Sequence, residues 1–311
     1  MYKVFIDGRE GTTGLRIFDR IKERDDISLI VLEEKDRKDP EARKKAINES
    51  DITILCLPDA ASVESVSLCE NDKTVIIDAS TAHRTNDGWA YGFPEINGWA
   101  GYEKIASAKR IAVPGCHASG FIALVKPLID SGLLSADTSL VCNSLTGYSG
   151  GGKKMIAQYE SNDKDALLCA PRVYGITQNH KHLKEMKHIC GLSDAPMFTP
   201  IVSDFYSGMC VTVCISAKDI NGSVEDIKRV YSELYNTNIV KYVENIDKEG
   251  FISAASLSGY DNMAVSVLGN EERILLCALY DNLGKGASGA AIECLNLVTG
   301  KDKDYCLNIS N

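Results

Sequence analysis

Two spacings of apolar residues alternate along the first hundred positions. Apolar runs centred on residues 3–7, 27–32, 52–57 and 74–78 have the length and β-branched content of strands buried on both faces. Between them, Leu15, Phe18 and Ile21 recur at helical spacing, and residues 40–48 and 60–69 also read as helices. This alternation predicts an α/β domain built on a parallel, doubly wound sheet. From Cys116 onward the pattern changes. A helix opens there with Phe121, Ile122, Leu124 and Val125 on its buried side, and Pro127 predicts a kink or break near Lys126. Residues 139–146, 197–203, 209–216, 263–268 and 274–279 then read as strands, several with apolar alternation. Residues 224–235 carry Ile227, Val230, Tyr231 and Leu234 on one helical face. The expectation is a second, α+β domain with a mixed or antiparallel sheet. Near the end, Gly286, Ala287, Gly289, Ala290 and Ala291 give a helix able to lie close against another backbone or a cofactor. Its apolar face is expected to return to the first domain, so the boundaries are residues 1–115 completed by helix 283–311, and residues 116–282.

Glycines punctuate the first strand-to-helix turn as Gly8-x-x-Gly11-x-x-Gly14. Glycine there lets backbone approach a pyrophosphate, which the following helix N-terminus stabilises, so Gly8, Gly11, Thr12, Thr13 and Gly14 are candidate dinucleotide contacts of a Rossmann-type domain. The commoner fingerprint has GxGxxG spacing, and an ordinary glycine-rich turn is the competing reading. The second strand ends in Glu33 and Glu34, placed to bind a ribose 2′-hydroxyl, but Lys35, Arg37 and Lys38 follow and suit a 2′-phosphate. From these residues NAD and NADP both stay open. Pro58, Ser80, Thr81 and Arg84 fall at the carboxyl ends of predicted strands, where ligands bind in such sheets. Ser80, Thr81 and Arg84 are candidates for holding phosphate, with a solvated surface charge as the alternative for Arg84.

The chemistry centres on Val113-Pro-Gly-Cys116-His-Ala-Ser119, where a turn delivers a thiol to a helix N-terminus. The helix dipole and unpaired N–H groups favour a thiolate at such a position. Partners are sought in Asn179-His180-Lys-His182-Leu-Lys-Glu185. If His180 to His182 is extended, both imidazoles point the same way and either can act as acid or base, with Glu185 opening the next helix. His182 is preferred because it lies nearer that helix start. His117 competes by sequence, but adjacent helical residues point roughly 100° apart, which places it poorly to serve Cys116. The loop Gly147-Tyr-Ser-Gly150-Gly-Gly-Lys153 has the composition of an anion nest, with Lys153 nearby, and Asn282 stands where it could donate to a carboxamide.

Composition narrows the partners. The 311 residues are 44% hydrophobic and 25% charged with a net charge of -9, and no basic block is interleaved with aromatics, which argues against nucleic acid and anionic membrane. No apolar run reaches the ~20 residues of a membrane span, the first residues read as a strand, and a cytoplasmic protein is expected. Eleven cysteines without a CxxC pair suggest neither a disulfide framework nor a metal site.

With these motifs in view, the chain resembles the short-chain form of the N-acetyl-gamma-glutamyl-phosphate reductase family, within the wider aspartate-semialdehyde dehydrogenase superfamily. The resemblance runs end to end. It is carried by Gly8-x-x-Gly-x-x-Gly14, Tyr91-Gly-Phe-Pro-Glu-Ile96, Val113-Pro-Gly-Cys116-His-Ala-Ser, His180-Lys-His182-x-x-Glu185 and Asp281-Asn-Leu-x-Lys-Gly-Ala-Ser-Gly289. It implies NADPH-dependent reduction of an acyl phosphate to an aldehyde in arginine biosynthesis, by a homo-oligomer (dimer or tetramer) whose second domain carries the catalytic and oligomerisation surfaces. Within that scheme Cys116 is the nucleophile. Gly150 and Asn282 join the cofactor contacts, Arg84 and Lys153 hold phosphate, Arg110 and Arg172 are candidates for the substrate carboxylate, and Glu185 joins the substrate site. Longer members have Tyr-Pro-Thr after the cysteine where this chain has His117-Ala-Ser, and an Arg in the glycine loop where it has Lys153. An enzyme acting on aspartyl phosphate and a nucleotide-binding cysteine redox sensor are the alternatives.

Overall fold

The computed structural model describes residues 1–310, which separate into two units: residues 1–115 with 287–307, and residues 116–286 with 308–311, of which 311 lies outside the described residues. In the first unit, strands β1 (Tyr2–Asp7), β2 (Ile27–Ile30), β3 (Ile52–Leu55), β4 (Val75–Asp78), β5 (Ala90–Tyr91) and β6 (Arg110–Ala112) form one sheet in the order β2-β1-β3-β4-β6-β5. Every pairing in it is parallel. Helices α1 (Thr12–Ile21), α2 (Pro40–Glu49), α3 (Asp59–Ser67) and α4 (Gly98–Ser107) make the connections. The four residues of β3 are all buried, as expected of a strand covered on both faces. Strand order reverses beside β1, so β1 and β3 leave a crevice at their carboxyl ends, the usual ligand position of doubly wound sheets. Val4, Ile17, Ile54, Ile77 and Ile111 share the core of this unit with Ile292 and Leu295 of the C-terminal helix.

The second unit starts with α5 (Cys116–Asp130) and continues through β7 (Val141–Gly147), α6 (Gly152–Tyr159), β8 (Arg172–Val173), α7 (His182–Cys190), β9 (Met197–Ser203), β10 (Met209–Ser216), α8 (Val224–Leu234), β11 (Val240–Tyr242), β12 (Met263–Gly269) and β13 (Arg273–Tyr280). The C-terminal helix α9 (Gly289–Val298) then belongs to the first unit. The seven strands form a mixed sheet, β11-β12-β13-β10-β7-β9-β8, in which β7 and β9 run parallel while β10 is antiparallel to both β7 and β13.

Pro127 does not break α5, which runs unbroken to Asp130. A proline at 127 has no N–H to offer the carbonyl four residues back, that of Ala123. The buried Tyr235 hydroxyl supplies the missing bond, donating to the Ala123 oxygen at 2.7 Å, while Tyr231 donates to the neighbouring Leu124 carbonyl. Two tyrosines just outside and within α8 therefore meet the hydrogen-bonding need that the sequence pattern reads as a helix end.

Candidate active site

The nucleotide turn is built by glycine where no other residue fits. Gly8 has φ +85°, and a Cβ there would lie 2.4 Å from the Cys56 carbonyl oxygen. A Cβ on Gly14 would come within 2.5 Å of the Gly8 oxygen, so α1 can begin tight against the turn only because both side chains are absent. Gly11 is the N-cap of α1, with Thr12 and Thr13 in its first turn. Gly8 and Gly11 border a cavity of about 570 Å³, which also touches Leu32, Glu34, Arg37, Lys38 and Pro58. Asp7, at the carboxyl end of β1, would repel a pyrophosphate if left bare. Its carboxylate instead accepts from Arg43 at 3.1 Å and from Ser65 at 2.8 Å. The glycine cradle, the helix N-terminus and the neutralised acid together fit a dinucleotide.

Other predicted residues of this unit are committed to the fold. The Ser80 hydroxyl donates to Asp78 at 2.7 Å, and Thr81 is bonded to Asp59 through both its N–H and its hydroxyl. Buried Arg84 donates to the carbonyls of Val113 (2.8 Å) and Ala79 (3.1 Å), which makes it a clamp on the chain rather than a solvated charge or an open anion site. Arg110 begins β6, so it lies at the amino end of a parallel strand, away from the ligand-binding carboxyl ends, and donates to the Thr74 and Lys109 carbonyls.

In the second unit, Cys116 is the first residue of α5 and is half-buried. His117, one residue on, is buried on the other side of the turn. Its Nδ1 lies 2.6 Å from the Ser144 hydroxyl and its Nε2 2.5 Å from the Tyr174 hydroxyl. With both ring nitrogens engaged and the imidazole desolvated by burial, its pKa is driven down to about 3. Desolvation also pushes the Tyr174 phenol far up, with the nearby Cys116 sulfur adding to the rise. Tyr174 is thus a neighbour of both the thiol and the histidines.

The His180 and His182 rings meet edge-on, 4.7 Å apart, and each lies 5.7 Å from His117. The condition that His180 to His182 be extended is not met: Lys181 is already helical and His182 is the first residue of α7. The rings therefore do not point in parallel. The His182 backbone N–H donates to His180 Nδ1 at 3.2 Å, which leaves the proton of neutral His180 on Nε2. His182 is buried and His180 only half-buried; desolvation and the adjacent Lys181 charge lower the His180 pKa. Glu185 is buried in the first turn of α7.

The expected anion nest is largely closed, because the N–H groups of Gly147, Tyr148 and Ser149 bond to the carbonyls of Gly208, Phe205 and Tyr206. Gly150 follows in the same turn, and Lys153 stands exposed at the start of α6. Asn282 joins two loops: its amide accepts from Gly208 N–H at 3.0 Å and donates to the Ser149 hydroxyl at 3.0 Å. Arg172 stacks over the Tyr159 ring at 5.3 Å and donates to its hydroxyl. The sequence signal for His117 was its place beside Cys116, and the partners that give it a role, Ser144 and Tyr174, are 27 and 57 residues away.

One unit carries a glycine turn that fits a dinucleotide, and the other carries a helix-mouth thiol and a histidine cluster. Residues 3–104 match the model of the semialdehyde dehydrogenase NAD binding domain, and residues 116–282 that of the semialdehyde dehydrogenase dimerisation domain. The chain belongs to the N-acetyl-gamma-glutamyl-phosphate reductase family. It is 42% identical to N-acetyl-gamma-glutamyl-phosphate reductase 2 of Nostoc sp. over 98% of this chain and 99% of that one. It is 44% identical to the N-acetyl-gamma-glutamyl-phosphate reductase of Brucella ovis, over 96% and 99%. Among solved structures, aspartate semialdehyde dehydrogenase II of Vibrio cholerae shares the fold, with a TM-score of 0.72, 17% identity and coverage of 96% and 98%.

Proposed function

We propose that this chain reduces N-acetyl-L-glutamyl 5-phosphate to N-acetyl-L-glutamate 5-semialdehyde and phosphate, in arginine biosynthesis, with NADPH as reductant. The observation that carries the reading is Cys116 at the mouth of α5, in the same unit as the His117, His180 and His182 cluster. Relatives at 42% and 44% identity over nearly the whole length support the glutamyl rather than the aspartyl substrate. Arg37 and Lys38, both bordering the nucleotide cavity, support NADP over NAD, since two cations there suit a 2′-phosphate.

In this reading the Cys116 thiolate attacks the acyl carbonyl carbon, and the tetrahedral species expels phosphate to leave a thioester on Sγ. A nicotinamide cofactor held by the Gly8 and Gly11 turn would supply the hydride equivalent that the thioester carbonyl needs. The resulting alkoxide expels the thiolate, giving the aldehyde, and the phosphate product takes up the proton that the overall reaction consumes. His180 offers Nε2–H to the oxyanion of each tetrahedral species, a role that suits a ring kept neutral by desolvation. The order of residues favours His182 for this role, whereas its burial favours His180. His182 then holds His180 through its backbone N–H. Arg172 and Lys153, the basic candidates in the unit that carries Cys116, are assigned to the substrate's carboxylate and phosphate. A homo-oligomer, dimer or tetramer, is supported by the match of residues 116–282 to a dimerisation domain.

The test is phosphate-dependent reduction of NADP by N-acetylglutamate semialdehyde. Wild-type protein is expected to turn over and Cys116→Ser to bind NADP without turnover; turnover by the serine variant would defeat the assignment, and preference for aspartate semialdehyde would replace the substrate.

A further inference from the structure

The first turn of α5 is held by a residue that lies 164 positions from Cys116 in sequence. Tyr280, the last residue of β13, is fully buried, and its hydroxyl donates to the Cys116 carbonyl at 2.5 Å. The same oxygen accepts the Gly120 backbone N–H at 3.1 Å. One hydroxyl therefore bridges both ends of the turn that begins at the nucleophile. Gly120 makes the approach possible, because a Cβ there would lie 2.7 Å from the Tyr280 oxygen. A second restraint comes from Gly286, where a Cβ would be 3.1 Å from Cβ of Cys116. The Cys116 carbonyl is thus held by a hydrogen bond, and beside its Cβ position 286 has little room for a side chain.

The electrostatic sense of this contact is favourable to catalysis. The carbonyl of Cys116 carries partial negative charge close to its own sulfur. A donated O–H sets a positive hydrogen against that oxygen and offsets its field, so the dipole of α5 acts on the sulfur with less opposition. Burial keeps the phenol protonated, so the donor persists across the working pH range.

We propose that Tyr280 is a positioning residue for the reductase reaction, setting the placement and the thiolate character of Cys116 through the first turn of α5. The inference rests on Cys116 being the nucleophile, as proposed above. Tyr280→Phe keeps the ring and removes the bridge. In the full-length protein it is expected to lower kcat about tenfold with KM changed by less than about twofold, the pattern of a lost transition-state contribution. Alkylation of Cys116 by iodoacetamide, followed by peptide mass spectrometry across pH, is expected to reach half its limiting rate at higher pH than in wild type. This second readout requires no substrate, so it separates a failure of this inference from a failure of the reductase reading. An unchanged kcat overturns the proposal, and so does a fallen kcat with an unmoved alkylation profile, because the hydroxyl would then act elsewhere. If Tyr280→Phe does not fold, 3-fluorotyrosine introduced at position 280 by codon suppression decides. Its more acidic phenol should move the alkylation profile to lower pH, and no movement overturns the proposal.

Discussion

The backbone N–H of His182 is bonded to Nδ1 of His180 at 3.2 Å, and that contact separates the roles of two histidines that the sequence presents as near-equals. It fixes the neutral tautomer of His180 with its proton on Nε2. Replacing His180 by Ala is expected to lower kcat by about 10²–10³ with NADP affinity unchanged, the usual cost of removing an oxyanion donor. His182→Ala should cost less in kcat and more in thermal stability, since it removes a buried ring that His180 packs against. Steady-state kinetics with melting curves on both variants check this; the reverse order would transfer the role to His182.

His117 predicts a pH dependence of stability. Its folded pKa is lowered to about 3 by burial, whereas the unfolded residue titrates near ~6.5. Between these values the unfolded chain binds a proton that the native chain refuses. Native stability is therefore intact above about pH 6.5 and falls with acidification at up to about 1.4 kcal/mol per pH unit from this residue. Urea midpoints measured from pH 7 to 4 should drop more steeply for wild type than for His117→Gln, and parallel curves would remove His117 as the cause.

The carbonyl left over by Pro127 is a second stability test. Tyr235→Phe orphans the Ala123 oxygen and is expected to cost about 1–3 kcal/mol. In a Pro127→Ala background, where the restored N–H can reach that oxygen, the same change should cost distinctly less. Equal costs in the two backgrounds would show that Tyr235 acts independently of the proline.

At the nucleotide turn, Gly8→Ala meets both a left-handed backbone and the Cys56 carbonyl, so it is expected to destabilise by at least about 1–2 kcal/mol and to abolish NADP binding. Arg37→Ala addresses specificity instead. It should weaken NADPH binding about tenfold while leaving that of NADH within about twofold. Calorimetric titration with each nucleotide checks both variants, and equal losses for NADPH and NADH would remove Arg37 from 2′-phosphate recognition.

What could be read from the sequence was local. Strands such as Ile52–Leu55, with every residue buried, announce a parallel sheet because their apolar runs have no polar face, and the change of pattern after Cys116 announces the mixed sheet. The continuous α5 was not legible, because its hydrogen-bonding need at Pro127 is met by Tyr235, 108 residues on, and periodicity carries no long-range partner. The same reason hides the engagement of Arg84 with main-chain carbonyls and the closure of the 147–149 amides by the 205–208 loop. The roughly 100° separation between Cys116 and His117 was legible; that it delivers His117 to Ser144 and Tyr174 was not. An extended His180 to His182 would place both rings on one strand face, whereas the helix of Glu185 and Met186 already begins at His182.

The central claim is that Cys116 carries the acyl group. Intact and peptide mass spectrometry of wild-type protein incubated with N-acetylglutamyl phosphate, without reduced nucleotide, tests it most directly. The account predicts an N-acetylglutamyl thioester on the Cys116 peptide alone among the eleven cysteines, removed by hydroxylamine and discharged as aldehyde when NADPH is added. An unmodified Cys116, or an acyl group on another residue, would contradict it.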